Sequence, residues 1–236
     1  MRGSLGRFWL ATGAALLGLV VTLALGCWQL DRAAQKEAMH AELQSRSALP
    51  AMDTAAFLAS AEPLAQVYRR VALRGTWLAP HTLFLDNRQM QGKAGFYVVT
   101  PLQLEASDRV ALVQRGWVAR NFVDRASLPT VNTPAGTVTI LGHIAPPVAK
   151  LYDFGGHELG PIRQNLDHER MAAQLGKPVL AVSIVQGGGA DDGLLRDWSA
   201  VGSGVEKNYG YAFQWFGLSV LIVVLYVWFQ IVRRFT

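Results

Sequence analysis

Two long stretches of the chain carry no charge, and they lie near its two ends. From Tyr209 to Val232 there are 24 consecutive uncharged positions, about 36 Å as a helix and enough to cross a bilayer with some tilt. Tyr209, Tyr211 and Trp215 crowd one end and Trp228 lies near the other, where amphipathic rings favour the headgroup zone. Arg233 and Arg234 then close the run. A soluble core helix is seldom apolar on every face for so long. Positions 8–30 are likewise uncharged, preceded by Arg2 and Arg7. This run is longer than the apolar region of a cleavable signal peptide, roughly 7–15 residues, and Trp28-Gln29-Leu30 continues helically into Asp31-Arg32. Ala24-Leu25-Gly26-Cys27 places a cysteine behind a small residue, as a lipoprotein signal does. Against that reading, Ala24 stands where such signals usually have leucine, and bulky Trp28 follows the cysteine. The stretch reads as an uncleaved anchor.

Between these ends the period changes. Positions 31–46, rich in Ala, Gln, Glu and Lys, favour continuation of the first helix until Pro50 ends it. Asp53 is placed to cap a short helix over 54–61, ahead of Pro63. Val71, Leu73, Gly75 and Trp77 then alternate with Arg70, Ala72, Arg74 and Thr76, the mark of a half-buried strand. Further strands are expected at 82–88, 96–104, 109–118, 136–144 and 179–186, with turns at Gln91-Gly92 and Ala106-Ser107-Asp108. Asp167 is expected to cap a helix that pairs Met171 with Leu175 and closes at Gly176 and Pro178. Residues 187–204, opening on three glycines, read as a mobile, polar return to the second anchor. The fold class that follows is an α+β membrane protein. Transmembrane helices at 8–30 and 209–232 flank one extracytoplasmic domain, 31–207, mainly antiparallel β, a small barrel or sandwich with one or two short helices.

Two spans put both termini on one side. Lys and Arg flanking spans favour the cytoplasm; the tails hold Arg2, Arg7, Arg233 and Arg234, against Arg32, Lys36 and Lys207 on the opposite flanks. The expected placement is a bacterial inner membrane, both termini cytoplasmic and the central domain periplasmic, with no room ahead of Phe8 for a transit peptide. Charge then takes on a different meaning. The net charge is +5, and the four tail arginines account for nearly all of it. The pI of about 9.6 therefore reflects topology rather than a nucleic-acid surface. The single cysteine, Cys27, sits at the outer end of the first anchor. An exported domain without cysteines has no disulfide framework, thiol-redox pair or thiolate cage, and a copper-delivery role would want such ligands.

Candidate chemistry is sparse. The sequence has no His-Glu-x-x-His, no Gly-x-Ser-x-Gly and no Cys pair, and Gly176-Lys177 lacks the rest of a phosphate loop. His157-Glu158 and Asp167-His168-Glu169 contain metal-ligating types, but a glycine-rich loop and a solvated helix face are the plainer readings. His81 and His143, in or beside strands, read as ordinary hydrogen-bonding side chains. No catalytic residue and no metal ligand is expected. Arg115-Gly116-Trp117 admits two readings: a surface Arg–Trp pair that docks a partner, or a glycine bulge that lets Trp117 cover the core, the second slightly favoured. Gln214 is the strongly polar side chain in the outer half of the last stretch. In lipid it seeks a partner across a helix interface, for about 0.6–2 kcal/mol.

Four motifs in order add a resemblance: Leu25-Gly26-x-Trp28-Gln29-x-x-Arg32-x-x-x-Lys36, Gly92-x-x-Gly95-Phe96 with Thr100-Pro101-Leu102, Val113-x-Arg115-Gly116-Trp117-Val118, and Tyr211-Ala212-x-Gln214-Trp215-Phe216-Gly217-Leu218. Together they resemble the Surfeit-locus (Surf/Shy) family of cytochrome c oxidase assembly proteins across almost the whole chain. The resemblance implies an assembly factor rather than an enzyme, one that helps insert haem a into the catalytic subunit of a haem a-type oxidase or stabilises that subunit. Haem a would be a transient cargo, and the oxidase subunit, haem a synthase and membrane lipid the partners, with no nucleic acid. Many members carry histidine just before the second span, where this chain has Asn208, and an amide is a poor iron ligand. That leaves Tyr209, Tyr211 and Trp215 as cofactor-binding candidates, and Trp28, Gln29, Arg115, Trp117 and Gln214 as partner-docking candidates. A structural tether or accessory subunit of an envelope complex is the rival reading, and a membrane enzyme acting on haem or lipid stands behind both.

Overall fold

The computed structural model describes residues 2–121, 128–151, 160–189, 192–198 and 204–232. It divides into two units, Met1–Glu42 with Ala200–Thr236, and Leu43–Ser199. In chain order the elements are α1 (Arg2–Ala48), β1 (Met52–Asp53), α2 (Thr54–Ala59), β2 (Arg70–Trp77), β3 (Leu83–Met90), β4 (Lys93–Leu104) and β5 (Val110–Ala119). They continue with β6 (Thr137–Ala145), β7 (Ile162–Arg163), α3 (His168–Leu175), β8 (Val179–Gln186) and α4 (Val205–Val227), which ends in a π-helical turn, Trp228–Val232.

The helical unit is an antiparallel pair. Gly6–Ala48 and Val205–Val232 each contain an 18-residue stretch apolar enough to cross a membrane, with mean hydropathies of 2.1 and 2.2. Both helices stay largely exposed except where they face each other, an exposure compatible with a membrane protein. Arg233 and Arg234 lie outside the described residues.

In the other unit, β2 pairs antiparallel with β6, from Arg70↔His143 to Thr76↔Thr137, and β6 with β8. Next comes β5, which pairs parallel with β8 and antiparallel with β4. β4 then returns to β2 through Gly75↔Leu104 and Trp77↔Leu102. The ring β2-β6-β8-β5-β4 is a closed five-stranded barrel with Greek-key order. Of the two shapes expected from the sequence, this is the barrel. Antiparallel pairing is the rule, as expected, but β5 and β8 break it because the chain between them crosses over through β6 and α3. β3 pairs with the first half of β4 outside the ring, and β1 and β7 are two-residue edges.

The alternation read in β2 places Val71, Leu73 and Trp77 inside, against Leu102, Leu104, Ala111, Val113, Ile140, Ile144, Val182 and Ile184, with Phe57 of α2 joining them. Burying each such side chain stabilises by roughly 1.5–3 kcal/mol. A second cluster packs Met171 and Leu166 on Leu83, Leu85, Val99 and Leu112, and a third joins Phe84, Phe96 and Val98 to Leu194. β5 is consequently buried on every residue from Val110 to Trp117, the continuous pattern of a strand covered on both faces.

Local signals worked where a side chain meets its own backbone. The Ala56 N–H donates to the Asp53 carboxylate at 2.8 Å, and the Arg170 N–H donates to that of Asp167 at 3.1 Å. Gly176 closes α3 in the left-handed region. α2 stops at Ala59, two residues short of the expected end, because Ser60 is already extended ahead of the turn at Pro63. β4 begins at Lys93 rather than 96. Gln91 and Gly92 both have positive φ, making a two-residue hairpin whose twist feeds straight into the strand. One reading is corrected over residues 192–198, which are not a loose polar return. Leu195 exchanges both backbone hydrogen bonds with Trp117, at 2.7 and 2.9 Å, and Trp198 Nε1 donates to the Gln186 carbonyl at 2.8 Å. Leu194 is buried against Phe84 and Phe96. Residues 192–198 form a strap closed over the sheet.

Candidate functional site

The sequence-derived candidates fall in two places. The first lies between α1 and α4, whose contacts run in antiparallel register. Ser219 Oγ donates to Thr22 Oγ1 at 2.7 Å, and Thr12 shares a 2.9 Å hydrogen bond with the Tyr226 hydroxyl. Beyond the apolar stretch, the pair is clamped by polar side chains. Lys36 Nζ donates to Asn208 Oδ1 at 2.7 Å, and Asn208 Nδ2 donates to Gln29 Oε1 at 2.7 Å. The Tyr209 hydroxyl donates to Glu37 at 2.8 Å. Gln29 and Lys36 are seven residues apart, two turns of helix, so they reach α4 from one face of α1.

The motifs that open and close the sequence also meet. A side chain on Gly26 would put its Cβ 2.7 Å from the Phe216 ring, so the ring rests on bare glycine backbone and would have to shift for any larger residue, and Ala212 is buried one turn away. Other motif residues face outward. Trp28 is half exposed, with the Arg32 guanidinium 5.6 Å from its ring centroid, a cation–π contact. Tyr211 and Gln214 are exposed, and Trp215 is intermediate. Gly210 and Gly217, on the same face of α4 as Gln214, have open space where a Cβ would stand.

The second place is the Arg115 bulge. Val98 pairs with Gly116 and Val99 with Gln114, so a bulge is present as the sequence allowed, with Arg115 rather than the glycine as its extra residue. Arg115 and Trp117 are each only 2% exposed. The reading of them as a surface docking pair is therefore corrected: neither side chain reaches solvent. Arg115 donates to Thr133 Oγ1 and to the Asn132 carbonyl, both at 2.7 Å. It also pairs with Asp192 at 3.2 Å, a carboxylate shared with Arg196. The guanidinium lies 4.8 Å from the Trp77 ring centroid. Desolvation by burial lowers the Arg115 pKa, and the Asp192 carboxylate opposes that shift. Trp117 Nε1 donates to the Arg88 carbonyl at 2.9 Å. A Cβ on Gly116 would stand 2.6 Å from Leu194, so this glycine lets the strap close.

The remaining candidates stay apart. Asp167 caps α3, and its pKa is lowered first by the hydrogen bond from the Arg170 N–H. Burial lowers the pKa of His168 and of His143. His157-Glu158 lies outside the described residues, and among the described residues no group of three His, Cys, Asp or Glu is arranged to hold a metal ion. Cys27 is free and exposed. Reading the sequence missed Asp192 and Trp77 as partners of Arg115, and Arg196 as the second cation on Asp192. The i,i+4 spacing of Asp192 and Arg196 around Leu194-Leu195 was the available signal.

The model of the SURF1 family matches residues 16–220, from within α1 to within α4. A SURF1-like protein of Rickettsia felis is 26% identical over 220 residues, 90% of this chain and 93% of that protein. Another, of Rickettsia bellii, is 24% identical over 218 residues, 89% and 87% of the two. One from Monosiga brevicollis is 33% identical over 145 residues, 56% and 51%. The matched span takes in the clamp, the Gly26–Phe216 contact and the Arg115 bulge alike, and this chain belongs to the SURF1 family.

Proposed function

We propose that this chain is a membrane-anchored assembly factor for a haem a-containing cytochrome c oxidase. Its family is generally linked to cytochrome c oxidase assembly. In this reading α1 and α4 cross a bacterial inner membrane with both termini cytoplasmic, and the barrel stands in the periplasm. The observation that carries the reading is the outward face of α4. Gln214 is exposed there between Gly210 and Gly217, while the opposite face is already occupied by α1. An amide surrounded by lipid gains about 0.6–2 kcal/mol from a partner on another helix, and flanking glycines let such a helix approach. We assign that helix to the oxidase catalytic subunit, with haem a synthase as a second partner.

Haem a enters as cargo. Asn208 does not fit as its iron ligand: its oxygen is held by Lys36 and its nitrogen by Gln29. The Tyr209 hydroxyl is engaged with Glu37. In this reading neither Asn208 nor Tyr209 ligates the iron, and this chain holds the haem while it presents its docking face to the oxidase subunit. A structural tether is the second reading, favoured by this saturation of Asn208. Two measurements decide. Gln214→Leu should reduce co-purification of the catalytic subunit at least threefold without loss of membrane insertion; undiminished co-purification rejects the docking face. A Soret band in protein purified from cells that make haem a supports the cargo role, and its absence supports the tether.

A further inference from the structure

The outer face of β2 and β6 carries a groove of about 540 Å³ that no family motif explains, bordered by the last turns of α1. Leu43, Ala51, Tyr68 and Leu141 give it apolar walls, and Arg70 and His143 stand among them. Arg70 and His143 are directly opposed across the two strands, so both side chains leave the same face. Leu141, two residues before His143, shares that face. It is 61% exposed, a large apolar side chain without a cover. Tyr68 holds a left-handed backbone, φ 74°, a strained conformation that persists only where the surroundings fix it. The hydrogen-bonding role expected of His143 is not realised: among the described residues its ring has no partner. Nor is either ring nitrogen sealed from solvent. Arg70 is exposed and pairs with no carboxylate among the described residues.

We propose that this groove holds the haem cargo, with His143 offering an axial nitrogen to the iron and Arg70 pairing with a propionate carboxylate. The inference rests on the cargo reading above and gives that cargo a place on this chain. The donor set fits the group. Histidine is a common protein ligand of haem iron, and burial lowers the His143 pKa, so the imidazole is neutral and keeps a lone pair to offer. With Asn208 held by Lys36 and Gln29, the imidazole comes from β6 instead. A guanidinium matches a carboxylate through two parallel hydrogen bonds, and this unpaired cation favours an anionic porphyrin over an uncharged lipid. The walls supply apolar surface for the macrocycle, and about 540 Å³ lies within the usual range of ligand sites, roughly 300–1,000 Å³.

The test is titration of haemin into the purified full chain in neutral detergent, followed by its Soret band. Saturation at one haemin per chain is expected, with a shifted band. His143→Gln should weaken binding by roughly tenfold or more and abolish the shift, while metal-free protoporphyrin, weaker from the start, binds both proteins alike. Arg70→Ala should weaken haemin but not haemin dimethyl ester, which has no carboxylate to lose. Leu141→Glu, on the open wall, should weaken all three porphyrins. Arg70 and Leu141 are exposed, so these two variants test the groove even where His143→Gln alters the melting curve. Saturable binding that all three variants leave undiminished would overturn the site yet leave the cargo reading standing, because the haem then lies elsewhere on the chain. No saturable binding by the unaltered chain would overturn both. Binding that responds to Arg70→Ala and Leu141→Glu but not to His143→Gln would overturn the iron ligand.

Discussion

Lys36 and Asn208 are joined by a 2.7 Å hydrogen bond across 172 positions of chain. The ammonium donates to one end of an amide whose other end donates to Gln29. Hydrogen bonds to charged groups contribute roughly 1.5–3 kcal/mol. Lys36→Ala and Asn208→Ala should each destabilise the helical pair by about that amount. In a double-mutant cycle the two effects should fall short of adding by 0.5 kcal/mol or more, on the order expected for a direct contact. Thermal unfolding of the full chain in detergent measures this, and strict additivity would remove the clamp.

Gly26 and Phe216 make a packing prediction. Gly26→Val drives methyl groups into the ring and should cost about 1–3 kcal/mol, as overpacking does. Adding Phe216→Ala should restore part of that loss, because the space is then empty. A double variant less stable than both singles would contradict the contact.

Arg115 and Asp192 sit in a buried network, so removing one partner strands the other. Arg115→Ala should destabilise the barrel by about 3–5 kcal/mol, read as a fall in the urea midpoint. Losing Asp192 as well should cost less than the two changes summed. A folded Arg115→Ala protein with an unchanged midpoint would return that residue to a surface role.

Acid should weaken the barrel. Burial holds the His143 imidazole below its ordinary pKa of 6.5, so the unfolded chain takes up that proton more readily than the folded one. The contribution is complete above the unfolded pKa and is lost as pH falls below about 6.5 toward the lower folded value. His168 acts in the same direction, with Asp167 partly opposing the shift. The urea midpoint should be lower at pH 5.5 than at pH 7.5, and His143→Gln should reduce the difference. A midpoint that rises on acidification would refute the sign.

Much of the fold was legible because its causes are local. The caps at Asp53 and Asp167, the hairpin at Gln91-Gly92 and the alternation of Val71, Leu73 and Trp77 each depend on a few neighbouring residues. The parallel pairing of β5 with β8 was not legible, since it follows from a crossover of about sixty residues. The strap was hidden for a similar reason. Three glycines and two aspartates suggest a loose loop, and only the groove beside Gly116 and Trp117 gives Leu194 and Leu195 somewhere to pack. Gln29, Lys36 and Asn208 were all noticed separately, but a sequence does not show that the Asn208 amide bridges the other two.

The position of β8 has a consequence for how the protein is made. It is the last stave of the barrel to be synthesised, yet it stands between β6 and β5. Until Gln186 has emerged, both neighbours present bare hydrogen-bonding edges, each an invitation to wrong pairing with another nascent chain. Closure must therefore wait for nearly the whole domain. A premature stop anywhere ahead of Val179 would leave not a shorter barrel but an open sheet prone to stick to its neighbours.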